Sequence, residues 1–452
     1  MRRITLALPF LALGLLAGDP SEAILAQRDP AAMMADLTHL TEAIGPRLTG
    51  SARDHEAHAW ALRRFRELGL ATHREAFPLA QTWHRGPASA RLLGDHPREV
   101  RVAQWGWTPG TRGPVTGPLV VVKDPRAVDG MKERLRGAIV LLGEPAEELD
   151  PMMMRPPLRL PEPPHHGGGF PAEIVAAKLK AAGALAILRD AGKSGEHLNM
   201  ASPDPLDAVP LPAAFVPHGA YADLVAAEGA RLSLRLEGDF GPAGRSFNTV
   251  AELKGSSKPD EVVLLGAHLD SWDLGTGATD NGSGAMAVLE AARILSGLKE
   301  RPARTIRFVL FGGEEQGYLG SEAYAKVHQA ELPRFSGVFV MDTGAGAIDA
   351  WALQGRAQVA KVLEPELAPL KAIGVTETDL RNEADTDFEP FDHAGVPAFC
   401  AEQKQHGYAV DHHGETDTLD KVIPAELKQA SVVLAYTAWR VAQLPALLPR
   451  ER

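Results

Sequence analysis

Residues 261–284 read EVVLLGAHLDSWDLGTGATDNGSG. After its leading glutamate, EVVLLGA (261–267) is a continuous apolar run. Such a run suits a strand buried on both faces, as in a parallel sheet. It stops at His268. Asp270 and Asp280 follow, and then SGAMAVLEAARILSGL (283–298) opens a helical pattern with Ser283 as its expected N-cap. The unit is strand, polar loop, helix. TIRFVLF (305–311) and SGVFVM (336–341) repeat the strand, and GSEAYAKVHQA (320–330) and a segment near 425–443 repeat the helix. Alternation of this kind implies an α/β fold whose central sheet is mostly parallel or mixed and flanked by helices.

The strand ends carry the chemistry. His268 and Asp270 follow the first run, Glu314 and Glu315 the second, and Asp342 the third. Ligands in open α/β sheets bind beyond the carboxyl ends of the strands. A later loop, DHHGETDTL (411–419), adds histidine. Imidazole with carboxylate suits zinc, cobalt or manganese, and the lack of cysteine in the set argues against a structural zinc site. The carboxylates exceed the needs of one zinc. Two ions about 3.5–4 Å apart become possible if one carboxylate bridges. Asp280 is the expected bridge, since it precedes a helix N-terminus that favours an anion. Each residue alone has an ordinary reading: a packed histidine, a helix-capping aspartate, a solvated glutamate pair. Their joint placement at the ends of apolar strands favours the metal reading. Adjacent side chains on an extended chain point apart, so Glu314 and Glu315 can hold different tasks, in either order as far as spacing goes.

The remaining sequence bounds the setting. Arg2, Arg3, the apolar run Leu6 to Ala17 and Ser21-Glu22-Ala23 fit a signal peptide over 1–23. The expectation is an exported protein, periplasmic or extracellular, with no membrane span after cleavage, because no later apolar run is long enough. Net charge is −11, which argues against nucleic acid or an anionic membrane as main partner. Cys400 is the only cysteine, so no intrachain disulfide can form. At 452 residues, more than one domain is expected. Residues 24–108 are read as the N-terminal part of the catalytic domain, 109–245 as a separate module of short strands and helices, and 246–452 as the main catalytic part. The module contains the Pro/Gly-rich loop PMMMRPPLRLPEPPHHGGGF (151–170), in which His165 and His166 are read as loop residues.

GAHLDSWDLGTGATDNGSGAMAVLEAARIL, FVLFGGEEQGYLGSEAYA, VMDTGAG and HHGETDTLD, with IGPRLTGSARDHEAHAW upstream, resemble the co-catalytic di-zinc exopeptidase family of leucyl aminopeptidases, aminopeptidase Y and carboxypeptidase Q. The HLDSW form leans toward the last of these. Residues 109–245 resemble the small β-rich protease-associated (PA) domain inserted in several members. The resemblance implies a zinc aminopeptidase (phosphorylase/hydrolase-like) fold and two Zn2+ per chain, with Co2+ or Mn2+ as substitutes. It implies that His268, Asp280 and Asp342 hold one ion and that Asp280, Glu315 and His413 hold the other. Asp270 would orient His268 and Glu314 would be the general base. The family motif places the histidine four residues before Asp417, which selects His413 over its neighbour His412. ADTDFEPFDHAGVPAF (384–399) matches the substrate-side loop, with Asp387 as a substrate-binding candidate. The implied partners are small unblocked peptides, dipeptides above all, and the insert is a candidate lid, substrate filter or homodimer contact.

Other readings are weaker. A single DTG (342–344) cannot make an aspartic-protease dyad, and HEAH (55–58) lacks zincin spacing. A glutaminyl-cyclase-like acyl transferase on the same fold would use one zinc. A non-catalytic binding relative would be expected to have lost ligands that are filled here.

Overall fold

The computed structural model describes residues 20–145, 172–200, 209–383 and 386–451. Most of the expected leader, and the loop with His165 and His166, lie outside the described residues. Pro20–Leu25 is a short helix whose Ile24 is buried against the long C-terminal helix Pro424–Gln443.

The apolar runs become adjacent strands. An eight-stranded sheet is ordered Ala71–Leu79, Gly244–Leu253, Arg304–Phe311, Lys258–His268, Phe335–Val340, Ala398–Gln403, Ile348–Ala352, Glu377–Asp379. The four strands from Arg304–Phe311 to Ala398–Gln403 run parallel, and antiparallel pairings extend both sides. The sheet is therefore mixed, with a parallel centre. Every residue of Arg304–Phe311 and of Phe335–Val340 is buried, as expected for strands covered on both faces. Helices Ser283–Ser296 and Pro424–Gln443 pack on each other and on one face. Leu319–Val327 and Glu389–His393 contact each other, and residues from both share the other face's core with Phe311 and Phe335.

One local expectation is corrected. Ser283 is the first helical residue and not a cap: its hydroxyl donates to Thr279 O and Gly344 O. The first-turn N–H of Gly284 is instead taken by Asn281 Oδ1 at 2.9 Å. The N-cap position is held by Gly282, and Asn281 reaches the first turn from one residue further out.

A second eight-stranded sheet is ordered Arg98–Val100, Ala88–Leu92, Arg231–Leu236, Val115–Val122, Ile139–Leu142, Ala186–Asp190, Ala213–Val216, Ala103–Gln104. Its middle is parallel and carries helices Ala172–Ala181 and His218–Ala226. The strands Ala88–Leu92, Arg98–Val100 and Ala103–Gln104 belong to this sheet, so its unit starts upstream of the expected boundary at 109. Alternating strands look alike in sequence whichever sheet they join. Pairing of Ala88–Leu92 with Arg231–Leu236 settles the membership.

Candidate metal centre

Register explains why distant residues meet. Phe311 pairs with His268, and Val340 pairs with Gly266, on neighbouring parallel strands. Two residues beyond Val340, Asp342 is level with His268. Glu314 follows three residues after Phe311 on the opposite side. The turn between is shaped by glycine. A Cβ on Gly312 would lie 2.7 Å from Phe247 O, and Gly313 adopts φ +71°.

His268 is fully buried. Its Nδ1 faces Asp270 O at 3.0 Å, with Asp270 Oδ1 at 3.6 Å. That leaves Nε2 toward the carboxylates: Asp342 Oδ1 at 3.1 Å, Asp280 Oδ1 at 3.2 Å and Glu314 Oε2 at 3.9 Å. Asp280 turns its other oxygen to His413 Nε2 at 3.5 Å and His412 Nε2 at 3.7 Å. His413 Nε2 also reaches Glu315 Oε2 at 3.1 Å. The two imidazoles are stacked at 3.8 Å, and His413, whose Nε2 faces Glu315, meets Trp272 edge-on.

The potential ligand atoms form three overlapping groups: His268, Asp280 and Glu315; His268, Glu314 and Asp342; and Asp280, His412 and His413. The metal-ligand candidates named from the sequence all fall in these groups, which are joined through His268 and Asp280. Asp270 meets His268 through both its backbone carbonyl and its carboxylate, and the carboxylate favours the charged imidazole. Its backbone carbonyl, not its carboxylate, is the nearer partner of His268. The carboxylate accepts from Thr49 Oγ1 at 2.6 Å and from Glu314 N at 3.3 Å, so Asp270 ties the histidine to the glutamate turn. Asp387 is fully buried within the electrostatic reach of Asp342 and Asp270. Its oxygens meet no hydrogen-bond partner, although the nearby Ser321 hydroxyl favours its ionised form.

Several supporting residues were not singled out from the sequence. Asn281 Nδ2 donates to Asp342 Oδ1 at 2.8 Å, and Thr386 donates to the other Asp342 oxygen. Asp417, used only to count back to His413, accepts from Thr279 N at 2.6 Å and Thr279 Oγ1 at 2.7 Å. Arg47 is a buried cation near these acids. Its donors go to the carbonyls of Leu269, Gly45, Thr276 and Gly277, and not to a carboxylate. Arg47 and Thr49 lie in the IGPRLTG stretch, but their roles arise from contacts more than 200 positions away, which the stretch by itself does not reveal.

The buried carboxylates fit a site for a cation. Burial, with Asp342, Glu315 and Asp387 nearby, holds Glu314 well above the ordinary carboxylate range despite His268. Burial and Asp280 do the same to Glu315, and burial raises Asp342. Burial pushes Asp387 up to about 8. Asp280 is the exception: against its burial, His268, His412 and His413 hold it low. Both oxygens of Glu315 and Oδ2 of Asp280 are buried without a hydrogen bond. Unpaired buried carboxylates are costly unless a cation coordinates them. The all-nitrogen-and-oxygen donor set fits a borderline divalent metal.

The chain is similar to known peptidases. Residues 248–438 match the profile of Peptidase family M28. Carboxypeptidase Q of Mus musculus is 29% identical over 423 residues, covering 91% of this chain and 86% of that protein. Carboxypeptidase Q of Homo sapiens is 29% identical over 428 residues, covering 92% and 86%. A peptidase M28 precursor from Shewanella amazonensis SB2B has a similar structure, with TM-score 0.77 at 27% identity over 95% of this chain and 96% of that one. The fold is shared with BSAP, a zinc aminopeptidase from Bacillus subtilis, at TM-score 0.68 and 22% identity over 91% and 94%.

Proposed function

We propose that this chain, whose residues 248–438 match peptidase family M28, is a metallo-exopeptidase that uses two zinc ions to hydrolyse small peptides with a free amino terminus, including dipeptides. The observation that carries the two-ion reading is Asp280, whose oxygens face His268 at 3.2 Å and His413 at 3.5 Å on opposite sides. A carboxylate so placed is suited to bridge. His268 and Asp342 would complete one ion's shell, and Glu315 and His413 the other's. Co2+ or Mn2+ suits the same donors.

Bound there, the cations would polarise a peptide carbonyl and acidify a water between them. The protein supplies the rest. Glu314 is held near the cluster, with Oε2 3.9 Å from His268 Nε2 and its backbone N–H pinned by Asp270. A carboxylate at that position can take the water's proton on Oε2 and pass it to the leaving amine. Burial around the cluster excludes bulk water and strengthens these interactions. Asp387 is the acid proposed to receive the substrate's ammonium, because it is buried and unpaired beside the cluster. Export to the periplasm or outside the cell follows from the charged and apolar pattern of residues 2–17. Among the described residues, no helix is long and apolar enough to cross a membrane.

Zinc content measured together with a panel of free and N-acetylated dipeptides tests the reading. Two zinc ions per chain and cleavage of the free peptides alone are expected. Equal cleavage of both forms would defeat the free-amine requirement, and full activity with a single zinc would defeat the bridge.

A further inference from the structure

The loop bearing His412 and His413 is gripped from the second sheet's unit. Lys193 follows the strand Ala186–Asp190, and only 3% of its surface is exposed. Its ammonium donates to Ala409 O at 2.9 Å and His412 O at 2.7 Å. Met200 N donates to His413 O at 2.7 Å, and Asn199 forms an antiparallel bridge with Gly414. Both histidines thus have their carbonyls taken by the same unit. Glu415 closes the far end. Its side chain accepts from Leu198 N at 3.1 Å and makes a two-pronged pair with Arg101 at 2.8 and 3.1 Å. Beneath the loop, Trp83, Trp107, Leu198, Met200 and Trp272 form one buried cluster, and Trp272 meets the His413 ring.

His413 adopts φ +55°, a conformation that a non-glycine residue keeps only when its surroundings hold it. Within the loop, His412 N donates to Tyr408 O at 2.7 Å and Gly414 N to Asp411 O at 2.7 Å, both short-range bonds. The loop's helical turn Tyr408–Asp411 is four residues long. A buried ammonium spending two bonds on one loop is a strong tether, because leaving those groups unpaired would cost their full desolvation.

We propose that Lys193 is a positioning residue which, with Leu198–Met200, fixes the direction of His413, so that the His413 side of the metal centre is completed by the second sheet's unit. This rests on the reading of His413 as a ligand. The unit is then a built part of the centre, and any motion of it relative to the main sheet would change metal affinity on one side only.

The test uses the full chain with Lys193→Met, Lys193→Arg, Glu415→Gln and His413→Ala. Zinc affinity is measured by competition with a chelating dye, and amide exchange over 408–416 is followed in metal-free protein. Lys193→Met is expected to weaken one of two zinc equivalents by about 10-fold or more, leave the other near wild type, and speed exchange at 412–415. Lys193→Arg should restore part of both effects, and Glu415→Gln should act in the same direction more weakly. Unchanged exchange and unchanged zinc affinity in Lys193→Met would overturn the proposal, as would equal weakening of both equivalents. If Lys193→Met does not fold, Glu415→Gln decides by the same two readings. Retention of both zinc equivalents by His413→Ala would remove the ligand reading, while the exchange data would still report whether the tether exists.

Discussion

Asp417 accepts the backbone N–H of Asp280 on Oδ2 at 3.2 Å, although 137 positions separate the two. The same side chain holds Thr279 through Oδ1. The segment after His413 therefore fixes the backbone on which the bridging carboxylate stands. Burial and Asp280 push the Asp417 carboxyl up to about 7 despite these bonds and Arg47.

Replacing Asp417 with Asn keeps the size but turns one oxygen into a donor facing a donor. Metal affinity should fall about 10–100-fold, as is usual for partners behind metal ligands. Chelator competition on Asp417→Asn measures it. Wild-type affinity would mean that Asp280 is held without Asp417.

Glu314→Gln should keep metal and lose turnover by about 10²–10⁴-fold, the usual scale for a general base. Glu315→Ala should instead lose metal occupancy, because its buried carboxylate faces the cluster with Oε2 3.1 Å from His413 Nε2. Metal analysis of both purified variants separates the roles. Loss of metal from Glu314→Gln, or full retention by Glu315→Ala, would reverse or dissolve the division.

Stripping metal with a chelator should lower Tm, with recovery on adding zinc, because a ligand bound only by the folded state stabilises it. The metal-free protein should also lose stability as pH rises above the ordinary carboxylate range. Glu314, Glu315 and Asp342 bind protons more tightly folded than unfolded, so their contribution is present at low pH and lost on ionisation. Melting curves of chelated protein across pH check the sign. A stability that rises with pH in that range would contradict it.

Away from the centre, Glu402 offers a cleaner titration. Oε2 lies 3.0 Å from Arg381 and Oε1 is buried without a partner. Burial, with Asp379, Glu383 and Asp349 opposing Arg381, pushes its carboxyl up to about 7. The folded value is raised, so the stabilising term is complete below the unfolded value and disappears as pH passes 7. Glu402→Gln imitates the protonated form. It should be more stable than wild type at pH 8 by roughly 1–3 kcal/mol, with the gap closing toward pH 5. A gap independent of pH would show that Glu402 does not titrate in this way.

Asp387→Asn should raise KM for free dipeptides while barely changing zinc content, since the residue is proposed to face the substrate's ammonium. Kinetics on one free dipeptide, with metal analysis alongside, check this. An unchanged KM would remove Asp387 from substrate binding.

The sequence alone determined the parallel strands and the polar residues that end them. Buried strands must be apolar along their whole length, so the point where polarity returns marks the sheet edge, and His268, Glu314, Glu315 and Asp342 could be read there. The motif spacing pointed to His413, and the structure sets it against Glu315. What only the tertiary structure decided came from contacts that leave no local pattern. Thr49 under Asp270, Asn281 on the N–H of Gly284, Asp417 under Asp280 and Lys193 on the His412 carbonyl each depend on chain segments meeting after folding. Asp270 shows the same limit within one motif: its sequence position named it as a partner of His268, but only the packed turn showed the backbone carbonyl at the imidazole and the carboxylate turned to Thr49 and Glu314. Periodicity records which face of an element is buried, whereas the identity of the group it meets is set by register and by the packing of one sheet's unit against the other.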